Sequence, residues 1–350
     1  MPTIIYPRTL PWSWMVQRPQ QLMRELSYLG YTIFYEDRGA FPQPQVKKLW
    51  DSFYLCQGIS PLALAHPRPR ILWLTFPQHL HLIDTYRPDA VIFDCSDEAK
   101  EEFAAWGPYI KPLLTQAKLV FASSQSLYDQ LVPQHPDVTL LRNGVDFAHF
   151  CKAQKRPLDL PTGQPIIGYS GAIAPWLDWD LLKKVIEGCP DFHFLFLGAL
   201  VMLKRFPLEG SNISYLGLKS YDSLPGYLHR FNVSLIPFKL TPMTIGCNPI
   251  KLYEYAAAGL PTVATPLPEL IGAQKVIQSL SAENAEQHRE DCCPGLKLAD
   301  TAETFSQNIE EVLLKSVDQE ALQAFALQNT WQKRAVEIHN KILKRGLYTG

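Results

Sequence analysis

Short apolar runs alternate with longer amphipathic stretches along most of the chain of 350 residues. Runs that are apolar throughout, separated by segments of helical periodicity, indicate parallel strands that helices cover on both faces. This pattern predicts an α/β protein with two doubly wound, Rossmann-like parallel sheets. The predicted strands are Ile4–Tyr6, Thr32–Tyr35, Phe53–Leu55, Ile71–Leu74, Ala90–Phe93, Leu119–Ala122, Thr139–Leu141, Ile166–Tyr169, Phe192–Leu197, Ile213–Leu216, Val233–Ile236 and Thr262–Ala264.

A break in this alternation divides the chain into two halves. Between Phe150 and Pro165, charged residues, prolines and a glycine replace the apolar pattern, which is typical of a linker. We expect residues 1–155 to form an N-terminal domain and residues 156–330 a C-terminal domain. Residues 331–350 should form a final helix, which could return to the first domain. Two such α/β domains would face each other across a cleft, a common place for a ligand.

Composition narrows the class of protein. Apolar residues make up 47% of the chain, enough for two cores, and the net charge of −1 argues against a general nucleic-acid binder. The seven cysteines form no CxxC pair, and their odd number and scatter favour thiols in a reducing compartment. We see no signal-peptide pattern and no run approaching the ~20 apolar residues that span a bilayer. We therefore expect a cytoplasmic protein.

The strongest local signal is a short helix after the strand Val233–Ile236. Asn248 suits the N-cap, and Pro249 suits the first helical position, where its missing N–H loses no hydrogen bond. Gly259, followed by a proline two residues later, is a stop signal. The sequence therefore predicts a helix from about Pro249 to Ala258.

Lys251 is unusual in this helix because it lies in the first turn, where the helix dipole disfavours a cation. An anion bound at the helix start by Lys251 and by free N–H groups would account for it, and a diphosphate is the obvious candidate. Glu254 lies three residues further on, on the same face, where it could accept hydrogen bonds from a ribose. The alternative is a solvated surface pair. The polar loop 241–247, which directly follows a strand, favours the ligand site.

Several segments of the chain resemble those of one known family. The run NPIKLYEYAAAGLPTVA, residues 248–264, resembles the donor-site signature of retaining GT-B glycosyltransferases of the family 4 type. Residues 143–150, 168–171 and 119–128 are also similar to segments of that family. The resemblance implies a GT-B fold, retention of anomeric configuration and no obligatory metal. It also implies no cofactor beyond a nucleoside diphosphate sugar as donor, with the helix glutamate on the ribose and the preceding loop on the diphosphate.

Several residues are candidates for the catalytic and donor-binding sites. We expect Lys251 and Asp97 to be catalytic. The nucleotide-sugar site should contain Gly171, Gly246, Cys247, Asn248, Pro249, Ile250, Lys251 and Glu254. The chain departs from the family at position 246, where many members carry a glutamate eight positions before the ribose-binding one. Backbone N–H groups of the glycine-containing loop could take over part of that role.

Two residues of the first half have competing interpretations. Arg18 follows a loop with Trp12 and Trp14 and could contact an acceptor or a donor phosphate; alternatively, the tryptophans are core and Arg18 caps a neighbouring helix. Asp97 follows the predicted strand Ala90–Phe93 and could bind a donor-sugar hydroxyl or assist proton transfer. The alternative is an N-cap, because Ser96 or Asp97 before a glutamate suits a helix start.

Two patterns suggest metal ligands, but we expect no metal site. Asp178-Trp179-Asp180 is formally a D-x-D motif, yet its context favours a helix start at which the dipole stabilises acids. His79 and His81 would share a face on a strand, but they have no cysteine or carboxylate partner in the sequence.

The function expected from residues and resemblance is transfer of a sugar from a nucleoside diphosphate, such as UDP, to a hydroxyl acceptor. The acceptor would be a polysaccharide or a lipid-linked glycan, and peripheral association with the inner face of the membrane would then be plausible. Two alternatives remain: a sugar-nucleotide epimerase or hydrolase on the same fold, and a catalytically silent GT-B-like binding protein.

Overall fold

In a computed structural model that describes residues 2–64, 67–275, 292–315 and 317–347, the chain divides into two compact units. Unit 1 comprises Met1–Asn143, Gly246–Asn248 and Trp331–Gly350, and unit 2 comprises Gly144–Ile245 and Pro249–Thr330. The chain first leaves unit 1 after Asn143, earlier than the expected boundary at residue 155.

Within the described residues, the strands are β1 (Thr3–Tyr6), β2 (Thr32–Asp37), β3 (Gln45–Trp50), β4 (Phe53–Gln57), β5 (Arg70–Leu74), β6 (Ala90–Cys95), β7 (Leu119–Ala122), β8 (Val138–Leu140), β9 (Ile166–Ser170), β10 (His193–Leu197), β11 (Ile213–Tyr215), β12 (Val233–Ile236), β13 (Thr262–Ala264) and β14 (Leu296–Leu298). The α-helices are α1 (Arg18–Tyr28), α2 (Leu82–Tyr86), α3 (Gly107–Gln116), α4 (Gln125–Leu131), α5 (Phe147–Phe150), α6 (Trp179–Gly188), α7 (Leu224–Leu228), α8 (Pro242–Ile245), α9 (Ile250–Ala257), α10 (Pro268–Lys275), α11 (Ala302–Leu314), α12 (Gln319–Gln328) and α13 (Trp331–Lys344).

The sheet of unit 1 has the strand order β3-β4-β2-β1-β5-β6-β7-β8, and all neighbours are parallel except β3 and β4. The order reverses at β1, so the chain winds outward in both directions from the centre of the sheet. The central strands are apolar and buried because helices cover them, and β6 is buried at every position. Asp94 and Cys95 end β6, so this edge carries the polar residues that follow it.

Unit 2 has a fully parallel sheet in the order β11-β10-β9-β12-β13-β14. Numbered within the unit, this is the Rossmann order 3-2-1-4-5-6, in which ligands bind beyond the carboxyl ends of the strands where the order reverses. The reversal lies between β9 and β12. The residues that follow those two strands are therefore the first place to look for a site.

The prediction of an α/β protein with two parallel sheets is confirmed, and each predicted strand is present to within one or two residues at its ends. Two strands were missed. β3 is a largely exposed antiparallel edge strand with Lys47 and Lys48, so it has no apolar run to detect. β14 has only three residues and lies at one edge of the sheet of unit 2.

The C-terminal helix α13 belongs to unit 1, where it packs against α1. Its buried face includes Trp331, Ala335, Ile338 and Ile342, which recur at helical spacing. The hydroxyl of Tyr31, just after α1, lies 3.0 Å from His339 Nδ1. The last three residues of the expected final helix, 348–350, lie outside the described residues.

Two further observations concern the whole described chain. All seven cysteines fall within it as reduced thiols. Across residues 2–64, 67–275, 292–315 and 317–347, no helix combines the length and the apolar character that crossing a bilayer requires.

The packing of α13 can be tested by truncating one buried and one exposed side chain of this helix to alanine. Ile338 is fully buried, whereas Val336 is 45% exposed. We expect Ile338→Ala to lower the free energy of unfolding by about 2–5 kcal/mol, because it removes buried methyl groups and leaves a cavity. The control Val336→Ala should change it by less than about 0.5 kcal/mol. Urea unfolding followed by tryptophan fluorescence measures both, and equal effects would contradict this packing.

Candidate active site

Helix α9 begins at Ile250, and Asn248 does not cap it. Pro249 occupies the N-cap position, so the first turn has no side-chain cap. The side-chain oxygen of Asn248 instead accepts a hydrogen bond from the N–H of Asn143 at 2.8 Å, and Asn143 Nδ2 donates to Asn248 O at 2.6 Å. The predicted cap is wrong because Asn143 carries a buried backbone N–H that also needs an acceptor.

The end of α9 follows the stop signal in the sequence. Gly259 takes a φ of +72°, and the N–H of Leu260 bonds to Tyr255 O at 2.9 Å. The hydroxyl of Tyr255, which is fully buried, accepts a hydrogen bond from the N–H of Ser170 at 2.8 Å. This bond fixes α9 against the carboxyl end of β9, so the face of α9 that carries Lys251 has a defined position in unit 2.

Lys251 lies over aromatic rings at the carboxyl ends of β9 and β12. Its Nζ is 5.3 Å from the ring centroid of Tyr169 and 4.8 Å from that of Phe238. The two aromatic faces attract the ammonium group. We did not single out either ring as a site residue from the sequence, although Tyr169 lies in the segment 168–171 and Phe238 directly follows β12 and a proline.

Gly171 lies next to the side chain of Lys251, although 80 residues separate the two in the sequence. A Cβ at position 171 would lie 3.0 Å from Lys251 Cε and 3.2 Å from Nζ, and the φ of +147° favours glycine. The backbone at the end of β9 therefore borders the ammonium group directly. The structure thus brings together two residues that were predicted separately for the nucleotide-sugar site.

Glu254 lies one helical turn after Lys251 and is half-buried. Burial raises the pKa of its carboxyl to about 7, and the charge of Lys251 lowers it in part. Near neutral pH the group is therefore a mixture of the protonated and ionised forms. Hydroxyl groups of a ligand would stabilise the ionised form by donating hydrogen bonds to it.

Arg18, at the start of α1, is 2% exposed and forms a buried ion pair with Asp94. Its Nε and Nη2 donate to Asp94 Oδ1 at 3.0 and 2.8 Å. Its Nη1 donates to Leu141 O at 2.9 Å and to Asn143 Oδ1 at 3.1 Å. Arg18 neither caps a helix nor faces solvent; it joins the ends of β6 and β8 within the core of unit 1.

Asp97 lies in the loop after β6, and no helix begins there, so the capping alternative is wrong. Its Oδ2 accepts a hydrogen bond from Ser96 Oγ at 2.8 Å, and burial raises the pKa of its carboxyl. The next residue, Glu98, is more buried and packs against Gly246. Sequence reasoning missed Glu98 because three acids stand within five residues here, and spacing alone does not distinguish them.

The remaining candidates have simpler settings. Cys247 and Ile250 are half-buried, and Pro249 is buried. Asp178 caps α6 by accepting a hydrogen bond from the N–H of Leu181 at 2.9 Å, which confirms the helix start that was favoured over the D-x-D motif. His79 and His81 lie on the short 3-10 helix Pro77–His81 rather than on a strand. In the part of the chain that the structure describes, no three metal-ligating side chains cluster.

The role of Arg18 can be tested by removing its charge. We expect Arg18→Met to lower the free energy of unfolding by about 3–5 kcal/mol, because Asp94 would remain buried without its partner. The control is Lys48→Met, since the Lys48–Asp51 pair lies on the surface, where loss of an ion pair has little effect. Thermal and urea unfolding measure both. A stable Arg18→Met protein that has lost only ligand affinity would instead support the predicted contact with an acceptor or a phosphate.

The raised pKa of Glu254 predicts a pH dependence of stability. The folded protein keeps a proton that the unfolded chain releases between pH 4.5 and about 7. Relative to Glu254→Gln, the wild-type protein should therefore lose about 1–3 kcal/mol of unfolding free energy as the pH rises through that window. Urea titrations of both proteins at pH 5, 6, 7 and 8 measure the difference. Parallel pH profiles would show that the carboxyl is not perturbed.

No protein-family model matches the chain. The chain is 27% identical over 231 residues to a Bacillus subtilis protein that bears the name teichuronic acid biosynthesis glycosyltransferase TuaH. The match covers 58% of this chain and 57% of that protein, so it spans little more than half the length of the relative.

Two solved structures resemble the chain over nearly its whole length. The α,α-trehalose 6-phosphate synthase of Burkholderia multivorans has a TM-score of 0.66 at 10% identity, with 100% of this chain and 99% of that chain covered. WaaG, a glycosyltransferase involved in lipopolysaccharide biosynthesis, has a TM-score of 0.56 at 10% identity, covering 99% and 100%. With its two Rossmann-like units and these structural likenesses, the chain has the GT-B fold.

Proposed function

We propose that the chain is a glycosyltransferase that moves a sugar from a nucleoside diphosphate sugar to a hydroxyl acceptor with retention of anomeric configuration. The observation that carries this proposal is the approach of Lys251 to Gly171 at the end of β9, with Glu254 one turn further along α9. The ammonium group of Lys251, the backbone of Gly171 and the Glu254 carboxyl with its raised pKa then lie where a Rossmann-like unit binds its ligand.

Lys251 would neutralise the diphosphate of the donor. Its ammonium group lies over two aromatic faces, which attract it. The start of α9 adds the positive end of a helix dipole, and its first turn has no side-chain cap. A fixed positive potential of this kind stabilises the charge that develops on a leaving diphosphate, which is a large term in such reactions.

Glu254 would bind the ribose of the donor. An ionised carboxylate accepts hydrogen bonds from two neighbouring hydroxyls, and one helical turn separates Glu254 from Lys251. Loss of a proton from Glu254 on binding would couple nucleotide affinity to pH, with affinity rising as the pH passes through about 7. The nucleoside and the diphosphate thus have separate partners in unit 2.

In the transfer step, the bond between the anomeric carbon and the β-phosphate oxygen breaks, and its electron pair leaves with the diphosphate. A bond forms between that carbon and the acceptor oxygen, whose proton passes to a base. We propose Asp97 as the candidate group on the acceptor side, in unit 1. Burial raises its pKa and therefore its affinity for a proton.

The comparisons support a class of acceptor. TuaH carries the name of a teichuronic acid biosynthesis enzyme, and WaaG is involved in lipopolysaccharide biosynthesis. We infer from these names a polysaccharide or lipid-linked glycan as acceptor, and a place of action in the cytoplasm at the inner face of the membrane. Peripheral association with that membrane belongs to the same proposal.

The division of labour between Lys251 and Glu254 gives a calorimetric test. We expect Lys251→Met to weaken binding of UDP or GDP, whichever binds, roughly 10- to 100-fold, while affinity for the matching nucleoside changes little. Glu254→Ala should weaken both ligands, because its partner is the ribose. Lys184→Met, an exposed lysine on α6, is the control and should leave both affinities unchanged. Unchanged nucleotide affinity in both site variants would remove the site assignment.

Product analysis separates the transferase from its rivals. The protein is incubated with UDP-glucose, UDP-galactose, UDP-N-acetylglucosamine and GDP-mannose, with and without a glycan acceptor. A transferase releases nucleoside diphosphate in an acceptor-dependent manner. Turnover that does not depend on acceptor would indicate an epimerase or a hydrolase, and binding without turnover would indicate a silent binding protein.

A further inference from the structure

Basic side chains follow three neighbouring strands of unit 1 at the edge where those strands end. Arg8 follows β1, Arg38 follows β2, and His79 and His81 lie on the short 3-10 helix after β5. The sheet order places β1 between β2 and β5, and the winding of the sheet reverses between β1 and β5. Ligands of doubly wound sheets bind beyond the carboxyl ends of the strands at such a reversal. These basic side chains therefore lie where a ligand of unit 1 is expected.

The two arginines bind backbone carbonyls, which leave their charges unpaired. Arg8 Nη2 donates to Gly39 O, and Arg38 Nη1 donates to Thr9 O at 3.2 Å, so each arginine binds the loop that carries the other. Both arginines are exposed, and neither forms an ion pair with an acid among the described residues. Asp37, which precedes Arg38, is buried and accepts hydrogen bonds from neutral donors instead. Two oriented guanidinium groups are thus available to an anion.

His79 adds a neutral hydrogen-bond acceptor next to the loop that Arg38 binds. Thr9 Oγ1 donates its proton to Pro7 O at 2.9 Å, so His79 Nδ1, 3.3 Å from the same Oγ1, is the donor in that pair. Burial, and after it the charges of His81 and Arg38, lower the pKa of His79 to about 4. The ring is therefore neutral at physiological pH, and its Nε2 is an acceptor that no described residue binds.

These groups match two chemical parts of one ligand. A guanidinium group binds a carboxylate or a phosphate through paired N–H donors, whereas a neutral imidazole nitrogen accepts a hydrogen bond from a hydroxyl. A neutral sugar would leave the arginine charges unpaired, and a fully ionised free anion would offer no proton to His79 Nε2. A saccharide that carries both hydroxyls and an acidic group satisfies both.

We propose that the carboxyl ends of β1, β2 and β5 bind an acidic saccharide, with Arg8 and Arg38 on its carboxylate or phosphate and His79 Nε2 on a hydroxyl. This inference rests on the proposed transferase function and names the class of acceptor. The sugar that receives the new bond, or the one next to it, carries the negative charge. A uronic acid and a sugar phosphate share this chemistry. All of the contacts lie within unit 1.

Saturation-transfer NMR titrations of the full chain test the site with small probes. Methyl glucuronide and glucose 6-phosphate are the two acidic sugars, methyl glucoside is the neutral sugar, and inorganic phosphate is added as a competitor. We expect an acidic sugar to bind roughly 10-fold or more tightly than the neutral one, because its charged group gains hydrogen bonds from the arginines. The acidic sugar that binds more tightly distinguishes a carboxylate from a phosphate as the recognised group.

Two kinds of variant separate the contact with the anion from the contact with the hydroxyl. Arg8→Met and Arg38→Met should each weaken the acidic sugar roughly 10-fold and leave the neutral sugar unchanged. His79→Phe should weaken both sugars by a similar factor, because both carry the hydroxyl. Arg87→Met is the matched control: this exposed arginine precedes β6, at the opposite edge of the sheet, and its loss should change neither affinity. Thermal unfolding shows whether each variant is folded.

Several results would overturn the inference and leave the proposed function intact. These are an acidic sugar that binds no better than the neutral one, or not at all, and an acidic sugar whose affinity survives both arginine substitutions. Inorganic phosphate that competes as well as glucose 6-phosphate binds would reduce the site to one for a free anion. In each case, acceptor-dependent release of nucleoside diphosphate would still support a transferase.

The opposite failure is also recognisable. A chain that binds no nucleotide and no nucleotide sugar would overturn the proposed function, and with it the role of this site as an acceptor site, even if the acidic sugar binds. Preference for an acidic sugar that disappears in Arg8→Met and Arg38→Met, in a chain that also binds nucleotide, supports both proposals.

Discussion

The segment that leads into α9 is held by a chain of buried polar contacts that begins at Arg18. The guanidinium group binds Asp94 on β6 and the side-chain oxygen of Asn143, and Asn143 in turn binds Asn248 through both its backbone and its side chain. Arg334 of α13 donates to the carbonyl of Asn143 at 3.2 Å. Hydrogen bonds to charged groups contribute about 1.5–3 kcal/mol each, and an unpaired buried partner costs at least as much. Residues 246–248 therefore have little freedom to move independently of unit 1.

This constraint explains several residues at once. Gly246 and Asn248 are part of unit 1, whereas Pro249 begins the portion of unit 2 that contains Lys251. The segment that the sequence analysis treated as one motif therefore belongs to both units, and different contacts position its two parts. Those before Pro249 are positioned by the Arg18 network and by Glu98. Those after it are positioned by the bond from Tyr255 to Ser170 and by the aromatic rings beneath Lys251.

Much of the fold was accessible from local pattern. Buried parallel strands are apolar at every position, so β6, β9 and β12 are easily recognised. Strand β3 was missed because an antiparallel edge needs no apolar run, and its lysines protect an exposed edge from pairing with another chain. The end of α9 was predicted correctly because Gly259 acts through its own backbone conformation. Its start was predicted to within one residue, but its cap was not, because the side chain of Asn248 accepts a hydrogen bond from the N–H of Asn143 instead.

The sequence by itself determined the features that depend on neighbours along the chain: the strand pattern, the helix that carries Lys251 and Glu254, and the glycines at strand and helix ends. Only the tertiary structure decided which partner each polar side chain takes. Arg18 meets Asp94 across 76 residues and Asn143 across 125, and Asn248 meets Asn143 across 105. Glu98, rather than Asp97, occupies the space beside Gly246. These pairings follow from burial, because a polar group that loses its water must form hydrogen bonds with whichever partner the fold brings near it. Spacing along the sequence does not predict which partner that is.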